Sequence, residues 1–120
     1  MKLDLDLVRR ILLRIEEKPE VPPRTLCIED FLDLCDNKNI IALHIQLMMD
    51  AGWIDSSKDD DDIIIYRLTF KGYEDLAAIH DDGAWRIAMN RAICFGGLPF
   101  ELIKEMCRNE TEYLLGKTGE

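Results

Sequence analysis

The sequence predicts a mainly α-helical chain with one small antiparallel β hairpin: a winged helix-turn-helix core followed by C-terminal helices. Three observations predict it. Ile40 to Ile54 (IIALHIQLMMDAGWI) has a nearly uncharged helical period, stopped by Gly52, and leads straight into Trp53-Ile54. Two strand-like runs, one opening at Trp53 and the other IIIYRLT at Ile63–Thr69, flank an apolar-free tip, DSSKDDDD. The resulting order, helix–helix–helix–strand–tip–strand, is that of a winged helix.

The first helix is expected over Leu3–Glu17. Leu5, Val8, Leu12 and Ile15, with Ile11 beside them, recur every three or four residues and make an apolar stripe. Asp4 and Asp6 sit where carboxylates accept the first unpaired N–H groups of a helix. Arg9, Arg10 and Arg14 fall mostly on the other side. EKPEVPPR then forms a stiff loop, because its prolines fix φ and exclude helix.

Thr25–Ile28 has the make-up of the short third strand that backs the hairpin of a winged helix. Glu29–Cys35 (EDFLDLC) reads as a short second helix, and Asp36–Asn39 as the turn, with Asn39 or Asp36 capping the third helix. In that third helix Ile41, Ile45 and Met48 line the core face, with His44 and Ala51 at its edge. Asp59, Asp60, Asp61 and Asp62 form the wing tip. Thr69 caps a fourth helix, Phe70–His80, with Tyr73, Leu76, Ala77 and Ile79 apolar. Asp81-Asp82 starts another, carrying Trp85, Ala88, Met89, Ala92 and Ile93. After Phe95-Gly96-Gly97, Pro99 opens the last helix, with Phe100, Leu102, Ile103, Met106 and Cys107 on its apolar face and fraying expected past Leu115. We expect one domain over 1–120: a winged-helix core to about residue 80 and a helical extension over 81–115 packed on it.

Charge bears on partners. Lys+Arg number 15 and Asp+Glu 24, a formal charge of −9, and that sign repels phosphate backbones and anionic lipid. A reading helix needs Arg, Lys, Asn or Gln aimed at base edges. The face opposite the core instead offers Asn39, Ala42, Leu43, Gln46, Met49 and Asp50, and the wing is acidic. A DNA-binding transcriptional regulator is thus the alternative, with Arg9, Arg10, Arg14 and Gln46 as its contact residues. Leu43, Leu47 and Met49 cannot all share one core stripe, so helices of the chain, a second copy or a partner must cover them. The expected protein-interaction surface is Leu43, Leu47, Met49 and Trp53, edged by Asp59, Asp60, Asp61 and Asp62. An anion mimic that occupies the nucleic-acid channel of a host defence complex is a further alternative.

No catalytic residues, cofactor or metal are expected. The chain has no glycine-rich phosphate loop and no G-x-S-x-G elbow, and Asp81-Asp82 reads as a cap. The aspartate run lacks the alternating ligands, glycine and terminal glutamate of a calcium loop. His44 and His80 lack the spacing of a zinc site. Cys27, Cys35, Cys94 and Cys107 form no C-x-x-C pair. With no secretory signal pattern and no apolar run near the ~20 residues of a membrane span, we expect reduced cysteines in a cytoplasmic protein with a protein partner or self-association, no membrane and no small-molecule substrate.

Three segments, MKLDLDLVRRILLRIEE, IIALHIQLMMDAGWI and RLTFKGYEDLAAIHDDGAW, resemble in that order the signatures of a small uncharacterised bacterial and prophage family of domains of unknown function. Its elements are an M-K-x-D-x-D-L-V start, an H-x-x-L-L-x-x-A-G-L-I-like block, and L-T-x-x-G-x-x-x-L-x-x-I-x-x-D-x-x-W. The matching residues are Asp4, Asp6, Leu7, Val8, His44, Ala51, Gly52, Leu68, Thr69, Gly72, Leu76, Ile79, Asp82 and Trp85. The chain departs at Trp53, where leucine is usual, and by inserting CIEDFLDLCDNKN before His44. The resemblance implies a winged-helix-like fold and a phage or mobile-element origin, with no established activity. From these readings together, a protein-interaction module that modulates a host or phage complex is the leading functional expectation.

Overall fold

In the computed structural model, which describes residues 2–60 and 62–118, the first helix α1 is Leu5–Glu17. Asp4 is its cap, accepting the Leu7 N–H at 3.1 Å. Its buried face is broad: Leu7, Val8, Ile11, Leu12 and Ile15 are core residues, and Arg9 is buried beside them. The helical period puts Arg9 on the outer side, but consecutive buried positions Leu7, Val8 and Arg9 show that the stripe is wide enough to take in its aliphatic stem.

Thr25–Ile28 does not form a strand. Only Leu26 pairs, in an isolated antiparallel bridge to Ile65, with Leu26 N–H donating to Ile65 O at 3.0 Å and Ile65 N–H to Leu26 O at 2.8 Å. The next amide, Cys27 N–H, donates instead to Asp30 Oδ2 at 2.8 Å. That side-chain bond turns the chain into a 3₁₀ helix, η1, over Ile28–Phe31. The expected helix Glu29–Cys35 is thus one tight turn and irregular chain beyond it, anchored by fully buried Phe31. Local side chain–backbone bonds compete with regular structure in this way, and seven residues cannot outweigh them.

The central helix α2 is Lys38–Asp50 and starts at neither expected cap: Asn37 Oδ1 accepts from Asn39 N–H at 3.0 Å and Ile40 N–H at 3.3 Å. Ile41, Ile45 and Met48 are core, as the period predicts. His44 is not at the edge but wholly enclosed. Its Nε2 accepts the Asp4 N–H at 3.0 Å, so the ring proton must sit on Nδ1, which donates to Ile40 O at 2.7 Å. Residues of the first and second family-like segments, 40 positions apart, are therefore joined through an imidazole. His44→Phe orphans the Asp4 amide at the cap of α1, and we expect a loss of about 1–2 kcal/mol in urea unfolding. Nitrogen NMR should show the Nδ1-protonated tautomer in the native protein; the Nε2-protonated form would contradict the assignment.

Gly52, at φ 77°, ends α2. β1 (Ile54–Asp59) and β2 (Asp62–Leu68) follow as a two-stranded antiparallel sheet, with Ser56 opposite Ile65, Lys58 opposite Ile63, and a register shift between Asp55 and Ser56. Ile63, Ile65 and Leu68 point inward and Ile64 outward. α1 packs on β2 and α2, while η1 packs on α2 and β2. Helix, turn, helix and hairpin thus make a winged-helix-like arrangement with a shortened second helix.

Thr69 opens α3 (Phe70–Ala78), taking the Gly72 N–H on its hydroxyl oxygen at 3.1 Å while donating to Gly52 O. Leu76 and Ile79 are buried as expected; Tyr73 and Ala77 are exposed. The chain clusters into two compact units, Met1–Glu74 and Asp75–Glu120. The second holds a helical pair, α4 (Asp82–Cys94) packed on α5 (Phe100–Thr118). Asp81 caps α4 through Ala84 N–H at 2.8 Å. Trp85, Ala88, Ala92, Ile103 and Cys107 form the buried seam, whereas Ile93 and Leu102 are exposed. α5 is helical to Thr118, past Leu115. Among the described residues no helix is long and apolar enough to cross a membrane, and all four cysteines are free thiols.

Candidate functional site

The sequence pointed to two surfaces, and the fold rearranges both. Of the expected interaction residues, Leu47 is exposed at 38%, Leu43 and Met49 are half-buried, and Trp53 is buried. Trp53 leaves the surface because it occupies the α2–β1 junction, where its N–H donates to Met48 O at 3.0 Å and its carbonyl accepts Thr69 N–H at 2.9 Å. Asp59, Asp60 and Asp62 are exposed at the hairpin tip; Asp61 lies outside the described residues.

The cationic strip expected for a DNA reader is not available as free charge. Arg9 is buried and has interaction partners. Arg10 pairs with Asp6 at 3.1 Å one helical turn back. Arg14 forms a two-pronged bond to Asp33, at 2.6 and 2.7 Å, and also donates to Asp30 O at 2.7 Å. The Asp33 hydrogen bond is the main cause that raises the Arg14 pKa, and the same bond holds the Asp33 carboxyl below the usual range. Native stability from Asp33 is therefore present above its unfolded pKa and lost as pH falls through the depressed one.

Gln46 belongs to a different feature. A groove of about 670 Å³ runs between η1, the outer face of α2 and the hairpin, lined by Cys27, Ile28 and Glu29, by Lys38, Asn39, Ala42 and Gln46, and by Lys58, Asp62, Ile63 and Ile64. It lies where a winged helix presents its reading helix beside its wing. Lys38 donates to Glu29 at 3.2 Å. The Glu29 carboxyl is held low first by its own backbone N–H, then by the Cys27 thiol and Lys38. Burial, with Glu29 and Asp30 beside it, pushes the Cys27 thiol up, which favours its protonated form. Among the described residues no three His, Cys, Asp or Glu gather as a metal cage.

Sequence reasoning placed Asn39, Ala42 and Gln46 on this face but missed the groove. It exists because the third strand stops at Leu26, and the signal was Asp30, three residues after Cys27, where a carboxylate can reach back to the amide.

The chain matches a family model described as a hypothetical protein, DUF2513, over residues 2–97. It is also 33% identical over 89 residues to an uncharacterized protein of Haemophilus influenzae (strain Rd), an alignment covering 71% of this chain and 73% of that protein. No solved structure matches.

Proposed function

We propose that this chain, which belongs to the DUF2513 family of hypothetical proteins, is a small acidic interaction module that binds another protein and performs no chemistry itself. The observation that carries the reading is the surface presented by α2 and the hairpin. Where a DNA reader needs cations, α2 offers one, Lys38, tied to Glu29, and the hairpin tip presents Asp59, Asp60 and Asp62. A like-signed tip opposes a phosphate groove, whereas exposed Leu47 beside half-buried Leu43 and Met49 suits a protein partner. The finer reading is a cytoplasmic, prophage-encoded modulator of a host or phage complex, and it rests on the family resemblance together with the acidic charge.

Leu47→Asp tests it. At 38% exposure the aspartate can be solvated, so the far-UV circular dichroism of the monomer should not change, and binding to a partner captured from the natural host should fall about tenfold or more. Loss of the fold would assign Leu47 to the core. Saturable duplex-DNA binding with a steep salt slope, abolished by charge reversal at Arg10 and Arg14, would overturn the proposal.

A further inference from the structure

We infer that the turn between α4 and α5 is a self-association site, through which two copies of this chain dock turn to turn. The inference is independent of the α2 surface and concerns the second unit alone. It starts from residues 92–100 (AICFGGLPF), which carry no charge in a chain where 32% of residues do. Burial does not account for them: Ala92 belongs to the seam, but Ile93 is 69% and Phe95 75% exposed, and Leu102 in the first turn of α5 is exposed as well. Nor do these side chains hang on a loose loop. Phe95 N–H and Gly97 N–H both donate to Ala92 O, at 3.2 and 2.8 Å, and Gly96 N–H donates to Ile93 O at 3.0 Å. Gly96 and Gly97, at φ of 75° and 110°, close the turn. The apolar side chains are therefore held outward before any contact forms, which lowers the entropy lost on docking.

The charges at the two edges choose the occupant. Arg91 precedes the uncharged run and Glu101 follows it. Arg91 bonds Glu110 at 3.2 Å and Glu101 bonds Lys104 at 3.0 Å, yet both side chains remain more than half exposed. A surface that reads cation, apolar turn, anion is complementary to itself. In a two-fold contact, a residue that meets a second is met by the copy of the first in return. Two turns crossing antiparallel thus bring Arg91 of each copy to Glu101 of the other, with Ile93 and Phe95 packed between. A net charge of −9 opposes self-association over most of the surface, but here the copies meet where charge is absent and the edges attract. A uniformly basic or acidic partner would satisfy one edge and oppose the other, and anionic lipid would oppose Glu101.

Sedimentation equilibrium of the full-length protein at low ionic strength should show a monomer–dimer equilibrium with Kd of about 10 µM to 1 mM, the weak range of a small contact. Phe95→Asp, solvated at this exposure, should leave the far-UV circular dichroism unchanged and weaken the dimer at least about tenfold. Leu47→Asp should leave it unmoved. Mixing is the decisive arm. Arg91→Glu and Glu101→Arg should each dimerise about tenfold more weakly alone, because each sets like charges together at both edges. Combined in equal amounts they should dimerise as tightly as the native chain, because both edges are again of opposite sign, a recovery that misfolded variants cannot give. A short bis-maleimide should join the native dimer through Cys94, exposed within the run, and Cys94→Ser should remove that product. A monomer up to about 1 mM, dimerisation indifferent to Phe95→Asp or abolished by Leu47→Asp, no recovery on mixing, or a cross-link that survives Cys94→Ser each overturns the site. Pelleting with phosphatidylglycerol vesicles that is lost in Phe95→Asp would also overturn it, assigning the turn to a lipid surface.

Discussion

Gly72→Ala is expected to destabilise the protein by about 3 kcal/mol, near the upper end for overpacking and a large part of the ~5–15 kcal/mol a small domain possesses. A Cβ at residue 72 would stand 2.1 Å from the carbonyl oxygen of Trp53, with the Trp53 carbonyl carbon at 3.0 Å. Those neighbours are backbone, so no rotamer change relieves the clash. The same oxygen accepts Thr69 N–H, and the Thr69 hydroxyl bonds Gly52 O and Gly72 N–H; moving it apart disturbs the whole strand-to-helix corner. Gly52→Ala is the control. Its φ of 77° penalises a side chain, but nothing lies within 4 Å, so the cost is the left-handed strain of about 1–2 kcal/mol. Urea unfolding at unchanged slope should show the larger shift for Gly72→Ala. If the two variants lose equally, conformational freedom rather than close approach explains Gly72.

That corner also shows what the sequence could convey. The helix periods of α1 and α2, the stop at Gly52 and the two strands around a charged tip were readable because each is set by residues close in the chain. So was the role of Thr69, three residues before Gly72. What was not readable depends on partners far along the chain or on competition within a few residues. Trp53 reads from the sequence as part of the exposed interaction surface, but the 69–72 turn closes over its carbonyl and the residue is buried. Arg14 looked like a free cation because Asp33, 19 residues on, has no periodic relation to it. Thr25–Ile28 has strand-like residues, yet one carboxylate at Asp30 diverts it after a single bridge and so creates the groove. The three family-like segments turn out to meet: Asp4 with His44, and Gly52 with Thr69. Those residues are couplings between elements, which is why they gave no hint of a binding surface.

The second large effect is expected in the helical pair. Lys104 is buried and donates to Asp75 Oδ1 at 2.9 Å and Glu101 Oε1 at 3.0 Å, with its ammonium 5.5 Å from the centre of the Phe100 ring. Asp75 is equally enclosed, while Glu101 is largely exposed. Lys104→Met takes from the enclosed Asp75 carboxylate the ammonium that donates to it at 2.9 Å, and removing one partner of a buried pair costs about 3–5 kcal/mol. Replacing both, Lys104→Met with Asp75→Leu, should recover most of that loss, because neither charge then needs compensation. Alkaline titration separates this pair from ordinary packing. Burial is the largest influence on Lys104 and pulls its pKa down, but the bonds and charges of Asp75 and Glu101 together outweigh it and the net shift is upward. A raised lysine pKa contributes stability that is fully present below the unfolded value of about 10.4 and is lost as pH rises through the folded value. Thermal melts from about pH 8 to 11.5 should therefore show the native protein losing more stability above about pH 10.5 than the double variant, which has no pair to lose. Parallel losses in the two proteins would mean that the Lys104–Asp75 contact is electrostatically idle and that Lys104 serves the helical pair through its aliphatic stem alone.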